Sequence, residues 1–118
     1  MEGISNNDDG KYRDIFGSRL KFIRKVLVGM SQEEFAAKMD LDSGQSFVSK
    51  VERGERLLSV ENIYRAADVL GVHPAVLMST DEFTDEQLEM LVNLFTLFRK
   101  NNKDHILTIK GLLETYTK

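Results

Sequence analysis

The residues of this chain that could do chemistry are concentrated between Ser31 and Gly54, and their chemistry is hydrogen bonding and ion pairing. In the second half of this stretch, GQSFVSKVERG, polar or small side chains stand where a core helix would carry bulky apolar ones. Amide, hydroxyl and ammonium groups such as those of Gln45, Ser46 and Lys50 can donate hydrogen bonds to another molecule. The pattern therefore predicts a helix whose polar face serves as a contact surface.

The start of the same stretch favours the binding of an anion. Ser31 is a good N-cap, and Glu34 three residues later completes a predicted capping box. A helix N-terminus presents N–H groups and a partial positive charge, which suit a phosphate group. Ser31 and Gln32 are therefore candidate phosphate ligands.

The sequence contains no recognisable catalytic motif. The chain contains no cysteine, and it has neither a nucleophile elbow nor a glycine loop of the kind that cradles phosphates. His73 and His105 have no partners at a metal-ligand spacing. We therefore expect no catalytic residue, no metal and no other cofactor, and the chain is predicted not to be an enzyme.

Five helices between residues 12 and 79 are predicted to position the polar stretch, because apolar residues recur there at helical spacing. Glycines at positions 29, 54 and 71 are expected to end three of them. DLDSG has the composition of a turn and separates the second helix from the third. The expected helices begin near Tyr12, at Ser31, near Gln45, at Ser59 and in the segment HPAVLM.

After Ser79 the sequence predicts two amphipathic helices that form a hairpin. Thr84 and Gln87 form a second capping box, and Asn101 and Asn102 interrupt the helical pattern. The apolar stripe of the first of these helices is compatible with plain core, a dimer seam or the wall of a ligand pocket. We favour a dimer seam formed by Leu88, Leu91, Phe95, Phe98, Ile106, Ile109 and Leu113.

Length and composition bound the organisation of the chain. With 118 residues and 42% hydrophobic content, it can bury one modest core. Residues 1–11 are expected to be a flexible tail, residues 12–79 a compact domain and residues 80–118 the helical hairpin. No apolar run is long enough to span a membrane and no signal peptide is recognisable, so a cytoplasmic protein is expected.

The charge of the chain is divided unevenly along its length. The net charge is −3, but residues 11–79 carry eleven Lys or Arg against nine Asp or Glu, which gives +2. Residues 11–79 are therefore positively charged overall, whereas the segments before and after them are negatively charged overall. Their cations must cluster on one face if they are to bind a polyanion.

Four motifs within residues 12–79 resemble, in their order, the XRE family, the Cro and C1-type helix-turn-helix domain of bacterial and phage regulators. They are GSRLKFIR, GMSQEEFAAKM, QSFVSKVERGER and SVENIYRAADVLGV. The resemblance implies an all-α chain, with a five-helix lambda-repressor-like helix-turn-helix domain followed by the C-terminal helical hairpin. It also implies that helix 3, about residues 45–53, enters the major groove of double-stranded DNA.

The resemblance also implies roles for individual positions. Gln45, Ser46 and Lys50 match residues that face base edges, where glutamine can pair with adenine and lysine can donate to guanine. Because two or three base readers cannot define a genomic site, we expect a homodimer on a two-fold operator. Phosphate contacts are implied for Ser31, Gln32, Ser49, Arg53 and Arg56.

Three features depart from the family's pattern. The DLDSG connection is about two residues longer than usual, and the first helix is one residue longer before Gly29. In the family, the residue at the position of Glu52 pairs with a cation of the first helix, and here Arg24 and Lys25 are both eligible. The pair Leu57 and Leu58 replaces a polar residue and a proline, and is expected to pack under the loop.

Two functions from different classes fit this sequence. The favoured one is a sequence-specific, homodimeric transcriptional regulator, with a repressor preferred over an activator. The alternative is an antitoxin or anti-regulator that binds a partner protein through its C-terminal helices. Operator binding that depends on Gln45 and Lys50 would favour the first, and a second protein that co-purifies would favour the alternative.

Overall fold

The computed structural model describes residues 6–100 and 103–117, and the regular structure in these two ranges is entirely helical. Helix α1 covers Asn6–Phe22 and continues directly as a π-helical turn, Ile23–Val28. This arrangement confirms the predicted all-α fold. The remaining helices are α2 (Gln32–Met39), α3 (Gly44–Glu52), α4 (Val60–Leu70), α5 (Pro74–Met78), α6 (Asp85–Arg99) and α7 (Lys103–Thr117).

Helix α1 begins at Asn6, whereas the sequence predicts a flexible tail as far as residue 11 and a helix from about Tyr12. Extending an existing helix fixes one residue for each hydrogen bond gained, so a helix anchored by buried residues readily gains further turns. Phe16 supplies such an anchor, because it is fully buried. The prediction was therefore wrong for residues 6–11, while residues 1–5 lie outside the described part of the chain.

The last turn of the first helix accommodates the extra residue that the sequence places before Gly29. The N–H of Gly29 donates to the carbonyl of Arg24, five residues earlier, and the N–H of Met30 donates to the same carbonyl at 2.9 Å. A π turn closes its hydrogen bonds one residue later than an α turn, so it takes up an additional residue without ending the helix. Gly29 then ends the helix, as predicted, with a φ of 77°.

The core lies among α1 to α5 and includes the start of α6. Helix α1 crosses α3 at Gly17, where a Cβ atom would lie 2.4 Å from the carbonyl oxygen of Val51 and 2.7 Å from that of Glu52. Only glycine permits so close an approach of the two backbones. The largest side chains that this core buries completely are Phe16, Phe35, Leu20, Ile23, Met39 and Leu77.

The long connection between α2 and α3 forms a compact turn. Asp40 ends α2 with a φ of 55°, a left-handed conformation that aspartate adopts more readily than most residues. The side chain of Leu41 is half-buried against the core, and its carbonyl accepts a hydrogen bond from the N–H of Gly44 at 3.1 Å. The added length is thus anchored by an apolar side chain, and α3 begins within one residue of its predicted start.

The predicted caps of the later helices are present. Ser59 caps α4 and Gly71 ends it, while the ring of His73 caps α5. At the start of α6 the hydroxyl of Thr84 accepts from the N–H of Gln87 at 3.1 Å, and the side chain of Gln87 accepts from the N–H of Thr84 at 2.9 Å. This reciprocal pair is the predicted capping box, whereas at α2 only the half in which Ser31 accepts from the N–H of Glu34 is found.

Helices α6 and α7 follow the domain, and α6 is fastened to it along its length. The ring of His73 stacks on that of Phe95 at 4.5 Å, and Arg99 donates to the carbonyl of Val72 at 2.8 Å. The predicted interruption at Asn101 and Asn102 lies outside the described residues. Among the described helices, none combines the length and apolar content that crossing a bilayer requires.

Candidate nucleic-acid interface

The N-termini of α2 and α3 lie side by side. Ser31 caps α2, and its hydroxyl accepts a hydrogen bond from the N–H of Glu34 at 3.0 Å. The side-chain amide of Gln45, in the first turn of α3, donates to the side-chain oxygen of Gln32 at 3.2 Å. The end of α2 that is predicted to bind an anion therefore adjoins the polar start of α3.

A buried ion pair joins the first helix to the end of α3. Arg24 is 5% exposed and Glu52 is 8% exposed. The guanidinium donates from Nε to Oε2 at 2.6 Å and from Nη2 to Oε1 at 2.9 Å, while its Nη1 donates to the carbonyl of Met30. Such a two-pronged contact fixes both groups in orientation as well as in distance. Arg24 is thus the cation that pairs with Glu52, and Lys25 is exposed.

Gln32 connects this ion pair to the surface. Its amide nitrogen donates to Oε1 of Glu52 at 2.9 Å, and its oxygen accepts from Gln45. Four side chains, those of Arg24, Glu52, Gln32 and Gln45, therefore form a continuous polar network. Gln32 uses one of its two amide N–H groups in this network, so a phosphate at this position would be held by its second N–H, by backbone N–H groups and by the hydroxyl of Ser31.

The three predicted base readers lie exposed on α3. Gln45 uses one N–H in its bond to Gln32, which leaves its second N–H and its carbonyl oxygen. Adenine N7 requires a donor and the adenine N6 amino group requires an acceptor, so Gln45 can still pair with both. Ser46 and Lys50 share the exposed surface of α3, while Val48 and Val51 are buried on its opposite side.

The C-terminal end of α3 carries a second polar cluster. The guanidinium of Arg53 donates to the hydroxyl of Ser49 and to the carboxylate of Glu55. The hydrogen bond from Arg53 lowers the pKa of the Glu55 carboxyl, and the same bond raises the pKa of Arg53. A phosphate that binds Arg53 must therefore compete with the Glu55 carboxylate.

Arg56 lies against an aromatic residue that the sequence did not single out. Its guanidinium carbon is 5.5 Å from the ring centroid of Phe47, which is half-buried in α3. A cation above a ring in this position is held electrostatically. The two leucines that follow have separate surroundings, since Leu58 is buried under the loop as predicted and Leu57 remains 40% exposed.

The predicted dimerisation residues fall into two groups. Leu88 is 4% exposed and belongs to the core, so it cannot contribute to an exposed seam as the sequence suggested. The reason is that the first turn of α6 packs back on the domain, and Leu91 and Phe95 also contact the core from half-buried positions. Phe98 and Leu113 are exposed, while Ile106 and Ile109 are half-buried.

A groove of about 440 Å³ lies between α6 and α7. Leu91, Ile109 and Leu113 belong to the predicted set and line it. Its walls also include Met90 and Leu112, which are strongly exposed and lie outside the predicted dimerisation set. These two residues flank the predicted stripe, and a wider apolar arc on each helix would have included them.

Comparison with known proteins identifies a family match and two related sequences. Residues 20–77 match the family model described as helix-turn-helix. The chain is 39% identical over 67 residues to control protein C.MunI of Mycoplasma sp, a match that covers 57% of this chain and 88% of that protein. It is 38% identical over 66 residues to control protein C.BamHI of Bacillus amyloliquefaciens, covering 56% and 79%. No solved structure gives a significant match.

Proposed function

This chain belongs to the XRE-type helix-turn-helix family of DNA-binding regulators, and from that membership we propose that it is a sequence-specific repressor that binds a two-fold operator as a homodimer. Both relatives bear the name control protein, which supports a regulatory role. In this proposal residues 12–79 bind DNA and α3 lies in the major groove.

The observation that carries the proposal is the polar network beneath the exposed surface of α3. The buried pair of Arg24 and Glu52 anchors Gln32, and Gln32 in turn holds Gln45. This arrangement fixes α3 against α2 while Gln45, Ser46 and Lys50 remain exposed. The proposed phosphate ligands at the start of α2 and around Arg53 and Arg56 flank these readers, and would set the position of the helix on the duplex.

Selection of bound duplexes from a random pool tests the proposed function directly. The expected result is a consensus with two-fold symmetry whose half-sites are about one helical turn apart. A dimer that occupies an operator within a promoter excludes polymerase without further contacts, so transcription in vitro from a promoter carrying the consensus should fall as protein is added. An enriched pool without a shared sequence would contradict sequence-specific binding, and a rise in transcription would contradict repression.

Replacing Gln45 or Lys50 by alanine should weaken operator binding by about 1–3 kcal/mol and relax the preference at one base pair in each half-site. Arg56→Ala is the matched comparison, because a phosphate ligand should weaken binding to all sequences alike and reduce the salt dependence. Titrations at several salt concentrations distinguish the loss of preference at one base pair from the uniform loss of affinity with a reduced salt dependence. Unchanged base preference in both Gln45→Ala and Lys50→Ala would contradict their role as readers.

We assign dimerisation to the C-terminal helices, within residues 80–118. The groove between α6 and α7 and the exposed side chains of Phe98, Leu112 and Leu113 supply apolar surface that a second copy can cover. Burial of such surface is the main favourable term in association. A two-fold arrangement would place α7 of each copy against the groove of the other.

Leu113→Glu should dissociate the dimer, because it places a charge in an apolar seam. Leu113 is 54% exposed, so the substitution should leave the monomer folded. The dimer dissociation constant should rise about 30-fold or more, as for the loss of about 2 kcal/mol at an interface. Thr115→Glu adds the same charge on the opposite side of α7 and should leave the dimer intact. Light scattering distinguishes the 13.5 kDa monomer from the dimer, and a dimer that withstands Leu113→Glu contradicts the assignment.

A further inference from the structure

Arg19 is a buried cation whose hydrogen bonds go to backbone rather than to a carboxylate. It lies on α1 and is 3% exposed. Its Nη1 donates to the carbonyl of Val76 at 3.0 Å and to that of Ser79, and its Nη2 donates to the carbonyl of Asp81. Burial lowers the pKa of Arg19, although a guanidinium stays protonated at neutral pH. Among the described residues no acceptor reaches its buried Nε, so the three carbonyls supply the hydrogen bonds that offset the burial of this charge.

The three carbonyls belong to the connection between the DNA-binding domain and the hairpin. Val76 and Ser79 lie at the end of α5, where helical carbonyls lack partners within the helix. Asp81 lies in the segment that leads to α6. The guanidinium carbon also lies 5.3 Å from the ring centroid of Phe83, immediately before the residue that caps α6. Arg19 therefore fixes the course of the chain from the end of α5 to the start of α6.

The same helix that carries Arg19 also supports the recognition helix. Gly17, two residues earlier, is the point at which α1 meets the backbone of α3. One rigid element thus contacts α3 on one side and the connection to the hairpin on another. How firmly the connection is held to α1 therefore contributes to the angle between α3 and the hairpin, together with the packing of α6 on the core.

We propose that Arg19 is a positioning residue that sets the distance and rotation between the two recognition helices of the dimer, and so the half-site spacing that the protein accepts. The inference rests on the proposed function, because it requires a dimer formed through the hairpin. Half-sites on B-DNA repeat every 10–10.5 base pairs, so adding one base pair rotates one half-site away from its recognition helix as well as moving it. A dimer whose hairpins are firmly held therefore binds an operator of altered spacing weakly, whereas a dimer with loosened hairpins binds it almost as tightly as the preferred operator.

Operators with the selected half-sites and spacings changed by one or two base pairs provide the test. The wild-type protein should bind the preferred spacing about tenfold or more tightly than its neighbours, a difference like that of one mismatched base pair. Arg19→Met should reduce this ratio to about threefold or less while the half-site consensus is kept, and Arg19→Lys should restore it only in part, because an ammonium cannot reproduce the guanidinium fork. A merely structural role would weaken binding at all spacings alike.

Lys11→Met is the matched control. Lys11 is an exposed cation of the same helix and pairs with Glu82 of the same connection at 2.9 Å, so its removal should leave the spacing ratio unchanged. Circular dichroism and light scattering establish that each variant is folded and dimeric. If Arg19→Met is unfolded, Phe83→Leu removes the ring beneath the guanidinium and should also lower the ratio.

The outcomes separate the inference from its premise. A folded Arg19→Met or Phe83→Leu dimer with the wild-type spacing ratio overturns the positioning role and leaves the proposed function intact. If the wild-type protein selects no two-fold site, or binds all spacings equally, the premise of a dimer on a two-fold operator fails and the inference fails with it. A lowered ratio with an unchanged half-site consensus supports it.

Discussion

Gly17→Ala should destabilise the protein and displace the recognition helix. The added Cβ atom would lie 2.4 Å from the carbonyl oxygen of Val51 and 2.7 Å from that of Glu52. These are backbone atoms at the end of α3, so they cannot rotate away and the two helices must separate. Overpacking of this kind costs about 1–3 kcal/mol or more, and the gain of about 1 kcal/mol from replacing a helical glycine offsets only part of it.

Urea denaturation followed by circular dichroism should show the loss in stability, and operator titration should show weaker binding because α3 has shifted. Gly111→Ala is the matched control. Gly111 lies in α7, and apart from its chain neighbours and the adjacent backbone of its own helix, no atom of the described residues lies within 4 Å of the position that its Cβ would take. This variant should gain about 0.5–1 kcal/mol. If both alanine variants were as stable as the wild type or more so, the close crossing of α1 and α3 would not require glycine.

Removing the carboxylate of Glu52 should have an even larger effect. Glu52→Ala leaves the guanidinium of Arg24 buried without its counter-charge, and breaking one side of a buried pair costs about 3–5 kcal/mol. It also removes the acceptor that holds Gln32. We therefore expect a loss of stability in urea together with weaker operator binding.

A double substitution separates the two contributions. Arg24→Met with Glu52→Leu removes both charges, and apolar replacement of a whole buried pair is often neutral or stabilising. Stability should recover in this variant, but operator binding should not, because Gln32 and Gln45 still lack their anchor. Glu55→Ala removes an exposed carboxylate and should leave stability unchanged. A Glu52→Ala variant as stable as Glu55→Ala would contradict the assignment.

The parts of the fold that could be predicted from the sequence are those with local signals. Ser59 and Thr84 cap their helices, and Gly29 and Gly71 end theirs, because a cap depends on residues a few positions apart. The start of α1 could not be read in this way. Its first turns carry no apolar period, and they are helical because the rest of the helix is packed.

The sequence predicted which residues the candidate site contains, but not which of their side chains are hydrogen-bonded to one another. The motif order singled out Gln32 and Gln45, yet their mutual hydrogen bond depends on how two helices meet. The choice between Arg24 and Lys25 depends on the π turn, which changes the direction of every side chain within it. Leu88 was misassigned for a related reason, since an apolar stripe does not reveal whether its own domain or a second copy covers it.

The polar network has a consequence for the entropy of DNA binding. Gln45 is held by Gln32, and Gln32 by Glu52, so much of the rotamer freedom of Gln45 is lost when the protein folds rather than when it meets a base. Lys50 is exposed on the same helix and carries a long, flexible side chain whose ordering opposes binding at the moment of contact. Of the two proposed readers, Gln45 is therefore the preorganised one.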